Sequence, residues 1–141
     1  MNLSKSVVYM ADDDADDRYF IHQALQAADP SVTIIEAEDG EGLLTLLQNR
    51  THESASAPVN LILLDMNMPR SNGLETLKAL KANPALRHIP TVMISTSALP
   101  GQVAAAYQNG ISSYIQKPVS SFDRMTIAQA LKVCFLDAAM N

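Results

Sequence analysis

Leu61-Ile62-Leu63-Leu64-Asp65-Met66-Asn67-Met68-Pro69 is the stretch on which the fold turns. Four consecutive apolar residues fit a strand buried on both faces, as in a parallel sheet covered by helices. Asp65 comes straight after them, which puts a carboxylate at the carboxyl edge of that sheet, where open α/β folds bind ligands. Pro69 cannot continue a strand ladder, so the chain turns into a loop there.

Outward from this stretch, strand-like and helix-like segments alternate. The apolar runs predict strands at Val7–Ala11, Val32–Ala37, Val59–Leu64, Thr91–Ser95 and Ser113–Gln116. Helical spacing links Phe20, Ala24, Leu25 and Ala28, then Leu43, Leu44 and Leu47, then Leu74, Leu77 and Leu80. Val103, Ala104 and Tyr107 mark a shorter helix, and Ala128, Leu131, Phe135 and Ala138 a last one. Such alternation implies right-handed crossovers and a doubly wound α/β fold, a parallel sheet with helices on both faces. Asp29-Pro30 and Asn83-Pro84 end two of the helices, because the residue before proline avoids helical angles. Asn109-Gly110 stops another, and Thr51 to Pro58 reads as a surface loop.

Val7–Ala11 is followed by Asp12-Asp13-Asp14-Ala15-Asp16-Asp17. If this strand neighbours Leu61–Leu64, Asp12, Asp13 and Asp65 converge. Two carboxylates about 5 Å apart repel by roughly 3 kcal/mol at an effective dielectric of about 20. A bound divalent cation relieves this, and an oxygen-only set completed by waters favours Mg²⁺. Asp14, Asp16 and Asp17 read more simply as acids favouring a helix N-terminus. Ser95 and Lys117 also follow strands, so four strands end in polar groups at one edge. These groups suit phosphoryl transfer to a carboxylate, with Asp65 as nucleophile, Lys117 pairing with a phosphoryl oxygen and the Ser95 hydroxyl bonding another.

The chain has 141 residues, of which 48% are hydrophobic. That fits one domain over residues 1–141, with no output module attached. A net charge of -5 without a basic tract argues against nucleic acid and anionic membranes as partners. One cysteine, Cys134, precludes an intrachain disulfide, and its apolar helical setting reads as a buried structural thiol. No leader or membrane-spanning run is evident, so the expected compartment is the cytoplasm. His22, His52 and His88 share no metal-ligand spacing and read as surface residues.

Met10-Ala11-Asp12-Asp13-Asp14, Leu63-Leu64-Asp65-Met66-Asn67-Met68-Pro69 with Gly73, Ile94-Ser95-Thr96-Ser97-Ala98, and Tyr114-Ile115-Gln116-Lys117-Pro118 resemble the marks of the two-component response regulator receiver domain. The resemblance runs from about Val7 to the last helix, with order and spacing intact. It implies a flavodoxin-like five-stranded sheet in the order 2-1-3-4-5 with five helices. It implies phosphorylation of Asp65 by a sensor histidine kinase, with Asp12 and Asp13 as the acid pair for Mg²⁺. It adds the backbone carbonyl of Asn67 as a further metal ligand and a cis Lys117–Pro118 bond. It also makes Tyr114 a switch: phosphorylation would draw in Ser95, Tyr114 would turn into the vacated space, and the face of the last strand and its two flanking helices would change shape. Ser95 stands where threonine is commoner, which keeps the hydroxyl. Leu61 to Pro69 and Leu80 to Pro90 resemble receivers that serve phytochrome-type light-sensing kinases. The signal would leave through a downstream protein target or a phosphotransfer protein.

The last helix also carries Met125, Val133, Leu136 and Met140 on a second flank. These read either as a homodimer seam or as scattered surface apolar residues. A Mg²⁺-dependent aspartyl-nucleophile phosphohydrolase is the alternative function. Such enzymes place an acid two residues after the nucleophile, and here that position holds Asn67, which cannot protonate a leaving group. A flavin-phosphate binder fits less well, because Asp12–Asp17 would repel a phosphate cradled after the first strand.

Overall fold

The computed structural model describes residues 6–51, 58–69 and 72–137. β1 (Val7–Ala11), β2 (Thr33–Ala37), β3 (Leu61–Leu64), β4 (Thr91–Ser95) and β5 (Ser113–Gln116) alternate with α1 (Ala15–Ala28), α2 (Gly40–Thr51), α3 (Gly73–Ala82), α4 (Pro100–Gln108) and α5 (Ser121–Leu131). The strands pair in parallel in the order β2-β1-β3-β4-β5. The fold is therefore the flavodoxin-like topology that the resemblance implies. β2 and β3 begin one and two residues later than the apolar runs do. Ahead of β3, Asn60 is tied to β1 twice: its side chain accepts the Val7 N–H at 2.8 Å and its N–H donates to the Val7 carbonyl at 2.8 Å.

Period-two alternation builds a core on each face of the sheet. Val7, Tyr9, Ala11, Ile62, Leu64 and Met93 face α2, α3 and α4, packing on Leu43, Leu47, Leu77, Leu80 and Ala106. Val8, Met10, Leu61, Leu63, Val92 and Ile94 face α1 and α5, packing on Leu25, Ala128 and Leu131. Every residue of β1, β3 and β4 is buried. Each Val, Leu, Ile or Met among them contributes about 1.5–3 kcal/mol of apolar burial, and this explains the hydrophobic runs.

The helix stripes differ in detail from the sequence reading. On α1, Ile21 takes the core place expected of Phe20, which is exposed; Ile21, Ala24, Leu25 and Ala28 form the i, i+3, i+4, i+7 stripe. On α4 the buried residue is Ala106, and Tyr107 lies outside with its hydroxyl accepting the Tyr114 N–H at 3.1 Å. After Leu131 the winding widens into a π-helical turn, Lys132–Asp137. Leu136 follows Leu131 by five residues, the interval of an i→i+5 turn, and is buried on the same side. Leu136 therefore belongs to the core and not to a free flank. Phe135 packs beside it, only partly buried, and Cys134 is exposed, contrary to its reading as a buried thiol. Met125 and Val133 are exposed as expected. Ala138, Met140 and His52 lie outside the described residues. Among the described residues no helix is long and apolar enough to cross a membrane.

Candidate functional site

The ladder runs one residue past the strand ends and so fixes the functional residues at the sheet edge. Ala11 is level with Leu64. The next N–H groups continue the pairing: Asp65 N–H donates to the Ala11 carbonyl at 3.0 Å, and Asp12 N–H to the Ala37 carbonyl at 3.2 Å. Lys117 N–H donates to the Ser95 carbonyl at 2.8 Å. Asp12, Asp65, Ser95 and Lys117 thus leave their strands at one edge, as their places in the sequence require.

Carboxylate oxygens of Asp12, Asp13 and Asp65 lie within 4.8 Å of one another. Asp12 and Asp65 are buried, and Asp13 is exposed at the rim. Local turns hold the two buried acids: Asp12 Oδ1 accepts from Asp14 N–H at 2.9 Å, and Asp65 Oδ1 accepts from Asn67 N–H at 3.2 Å. Burial pushes the Asp12 carboxyl up to about 6, against the lowering effect of the Lys117 bond. An all-oxygen cluster that holds buried negative charge suits a hard divalent cation.

Lys117 is the counter-charge. Its Nζ lies 2.8 Å from Asp12 Oδ2, 2.7 Å from Asp17 Oδ2 and 3.1 Å from Asp65 Oδ2. Burial would lower its pKa, but the bonds to Asp12 and Asp17 and the surrounding acids outweigh that and raise it. The Lys117–Pro118 bond is trans, since no cis peptide occurs among the described residues, so the implied cis bond is not adopted.

Gly73 sets the shape of the loop after Asp65. Its N–H donates to the Met66 carbonyl at 2.9 Å. A Cβ there would meet the Asp65 carbonyl oxygen at 2.4 Å and Met66 Cα at 2.7 Å, so only glycine permits this approach of α3 to the loop. Ser95 is fully buried, and its Oγ accepts from Ser97 N–H at 3.2 Å. The Tyr114 hydroxyl already donates to the Ser97 carbonyl at 2.6 Å, so the ring is turned inward. Burial, with the Asp65 charge adding to it, raises the Tyr114 phenol.

Sequence reasoning undervalued Asp17 and His22 and passed over Arg18. Asp14 is the N-cap of α1, accepting from Asp16 and Asp17 N–H, as the helix-terminus reading expects. Asp17, however, reaches back to Lys117. Side chains lean toward the N-terminus of their helix, and this could have signalled that a third-position acid faces the sheet edge. Arg18 donates from Nη1 to the Asp12 carbonyl at 2.6 Å and from Nε to Glu36 at 3.1 Å. His22 Nδ1 bonds the same Glu36 at 2.6 Å, so it is tied to β2 and not simply a free surface residue.

The comparisons agree with this architecture. Residues 8–140 match the family described as the response regulator receiver domain. Response regulator Rcp1 of Synechocystis sp. is 30% identical over 136 residues, covering 96% of this chain and 92% of that protein. The structure of Rcp1 in its Mn(2+)-bound form superposes with a TM-score of 0.79 at 29% identity, over 92% of this chain and 93% of that one. The phosphorylated cyanobacterial phytochrome response regulator RcpA shares the fold with a TM-score of 0.85 over 96% of each chain, at 24% identity. With the family matched over residues 8–140 and the strand order β2-β1-β3-β4-β5 in place, the chain belongs to the response regulator receiver domain family.

Proposed function

We propose that the chain accepts a phosphoryl group on Asp65 from a phosphohistidine of a sensor histidine kinase, and signals through the α4–β5–α5 face. The observation that supports this most is the convergence of Asp12, Asp13 and Asp65 with the Lys117 ammonium at one sheet edge. In the transfer, an Asp65 carboxylate oxygen attacks phosphorus and the P–N bond breaks. Its electron pair stays on the imidazole nitrogen, which takes up a proton. Mg²⁺, held by Asp12, Asp13, Asp65 and the Asn67 carbonyl, would supply neutralisation of the phosphoryl charge.

The protein's own groups do the rest. The loop bond from Asn67 N–H orients Asp65. Lys117 exchanges its Asp65 bond for one to a phosphoryl oxygen. The Ser95 hydroxyl, freed from Ser97 N–H, donates to another. That draws the β4 end toward Asp65 and alters the Ser97 carbonyl to which Tyr114 is bonded. Tyr114 is thereby a reporter linking the site to β5 and to Tyr107 on α4.

The reading is of a cytoplasmic switch whose phosphorylation and slow loss of phosphate are self-catalysed. Its outlet is a downstream protein or a phosphotransfer protein. A phytochrome-type kinase as donor is a finer proposal, supported by the resemblance of Leu61 to Pro69 and Leu80 to Pro90. The homodimer seam loses one of its residues, because Leu136 is in the core. Acetyl phosphate with Mg²⁺ separates a switch from a hydrolase. The switch accumulates one hydroxylamine-sensitive phosphoryl group per chain and releases phosphate only as slowly as that group decays, whereas fast turnover with no phosphorylated chain accumulating contradicts the proposal.

A further inference from the structure

Lys117 has three N–H donors, and the site spends them on three carboxylates: Asp12, Asp17 and Asp65. Two of these partners change in the proposed reaction. Asp12 would hold the cation, and a phosphoryl group would occupy an Asp65 oxygen. Asp17 does neither. It lies in the first turn of α1, not at a strand end, and its carboxylate is outside the Asp12–Asp13–Asp65 cluster.

The helix start holds Asp17 in place. Its N–H donates to the Asp14 cap at 3.1 Å. Arg18, the next residue, fastens the same turn to the Asp12 carbonyl and to Glu36 of β2. Asp17 therefore has a backbone fixed at its cap and a carboxylate about a third exposed, bonded to the ammonium from the solvent side. Lysine is a point charge on a flexible four-carbon stem. Once its partners at the sheet edge are engaged elsewhere, nothing in that stem keeps the ammonium at the mouth of the site.

We infer that Asp17 is a positioning residue that anchors the Lys117 ammonium, so that its other donors stay directed at Asp65 and the incoming phosphoryl group. Its kinetic consequence rests on the phosphoacceptor reading of Asp65, but the anchoring itself does not. Asp16 lies in the same turn with the same charge and serves as the control for net charge.

The test uses full-length, metal-free, ¹⁵N-labelled protein, reading hydrogen exchange of the Lys117 side-chain ammonium by NMR. Losing one such bond in Asp17→Ala is expected to speed exchange about tenfold, with Asp17→Asn, still an acceptor, in between. In acetyl phosphate with saturating Mg²⁺, Asp17→Ala is expected to phosphorylate about tenfold more slowly, and Asp17→Asn within about threefold of wild type. Asp16→Ala should match wild type in both. Unchanged Lys117 exchange in Asp17→Ala, or an equal loss of rate in Asp16→Ala, overturns the anchor. A wild type that takes up no phosphoryl group would count against the proposed function alone, since the metal-free exchange still decides the role of Asp17.

Discussion

Replacing Gly73 with alanine tests whether the acceptor loop is held where the chemistry needs it. The new Cβ would stand 2.4 Å from the Asp65 carbonyl oxygen, 2.7 Å from Met66 Cα and 3.0 Å from the Asp65 carbonyl carbon. All three atoms are backbone, so no side chain can swing aside. An ordinary contact begins near 3.4 Å, so helix and loop must separate by about 1 Å. Such overpacking costs about 1–3 kcal/mol. Stretching the Gly73 N–H bond to the Met66 carbonyl adds about 1 kcal/mol. Glycine to alanine within a helix returns up to about 1 kcal/mol. The net expectation is a loss of about 2 kcal/mol in denaturant unfolding. The functional effect should be larger in proportion, since a 1 Å misplacement of a reacting group costs about 100-fold. Gly101→Ala on α4 is the control, because a Cβ there meets nothing within 4 Å. Phosphorylation of Gly73→Ala by acetyl phosphate at the wild-type rate, with stability unchanged, would refute the reasoning.

Lys117→Ala leaves Asp12 and Asp65 buried without their ammonium. The metal-free variant should retain the fold but lose about 3–5 kcal/mol in urea unfolding, and Mg²⁺ should recover most of that. A phosphorylated Lys117→Ala protein should fail to signal, so wild-type output from it would remove the role assigned to Lys117. Asp12 gives a pH signature with a definite sign. Its folded pKa of about 6 lies above the ordinary 3.8, so the folded chain binds more protons between those values. Metal-free stability from this group is therefore fully present below about 4 and lost as pH rises through about 6, by about 3 kcal/mol. Stabilisation by Mg²⁺ should grow over the same window. Unfolding curves of wild type against Asp12→Asn isolate the effect, and parallel pH profiles of the two would contradict it.

The centre of the sheet was legible because β1, β3 and β4 are buried on both faces. Uninterrupted runs such as Leu61–Leu64 left little choice of element, and each polar residue that broke a run marked the edge. Asp12, Asp65 and Ser95 could be placed together for that reason; Lys117 follows the half-buried Ser113–Gln116 and was placed by the alternation of strands and helices. What escaped was set by geometry that spacing does not encode. Phe20 and Ile21 are adjacent and both apolar, so the helix phase between them is decided by packing against α5. The widened turn at Lys132–Asp137 moved Leu136 inward and Cys134 outward, a change of winding that an assumed 3.6-residue period cannot show. Asp17 was hidden among neighbouring acids with an adequate explanation as helix-start charges. Only the position of the cap at Asp14 separates the one that reaches Lys117 from those that do not.

Intact-mass and peptide analysis of wild type and Asp65→Asn after acetyl phosphate and Mg²⁺ tests the central claim most directly. Wild type should gain the mass of one phosphoryl group, confined to the peptide carrying Asp65 and absent when Mg²⁺ is chelated, and Asp65→Asn should gain none. Equal labelling of the variant, or a label on any other residue of the wild type, would contradict the assignment of Asp65 as the acceptor.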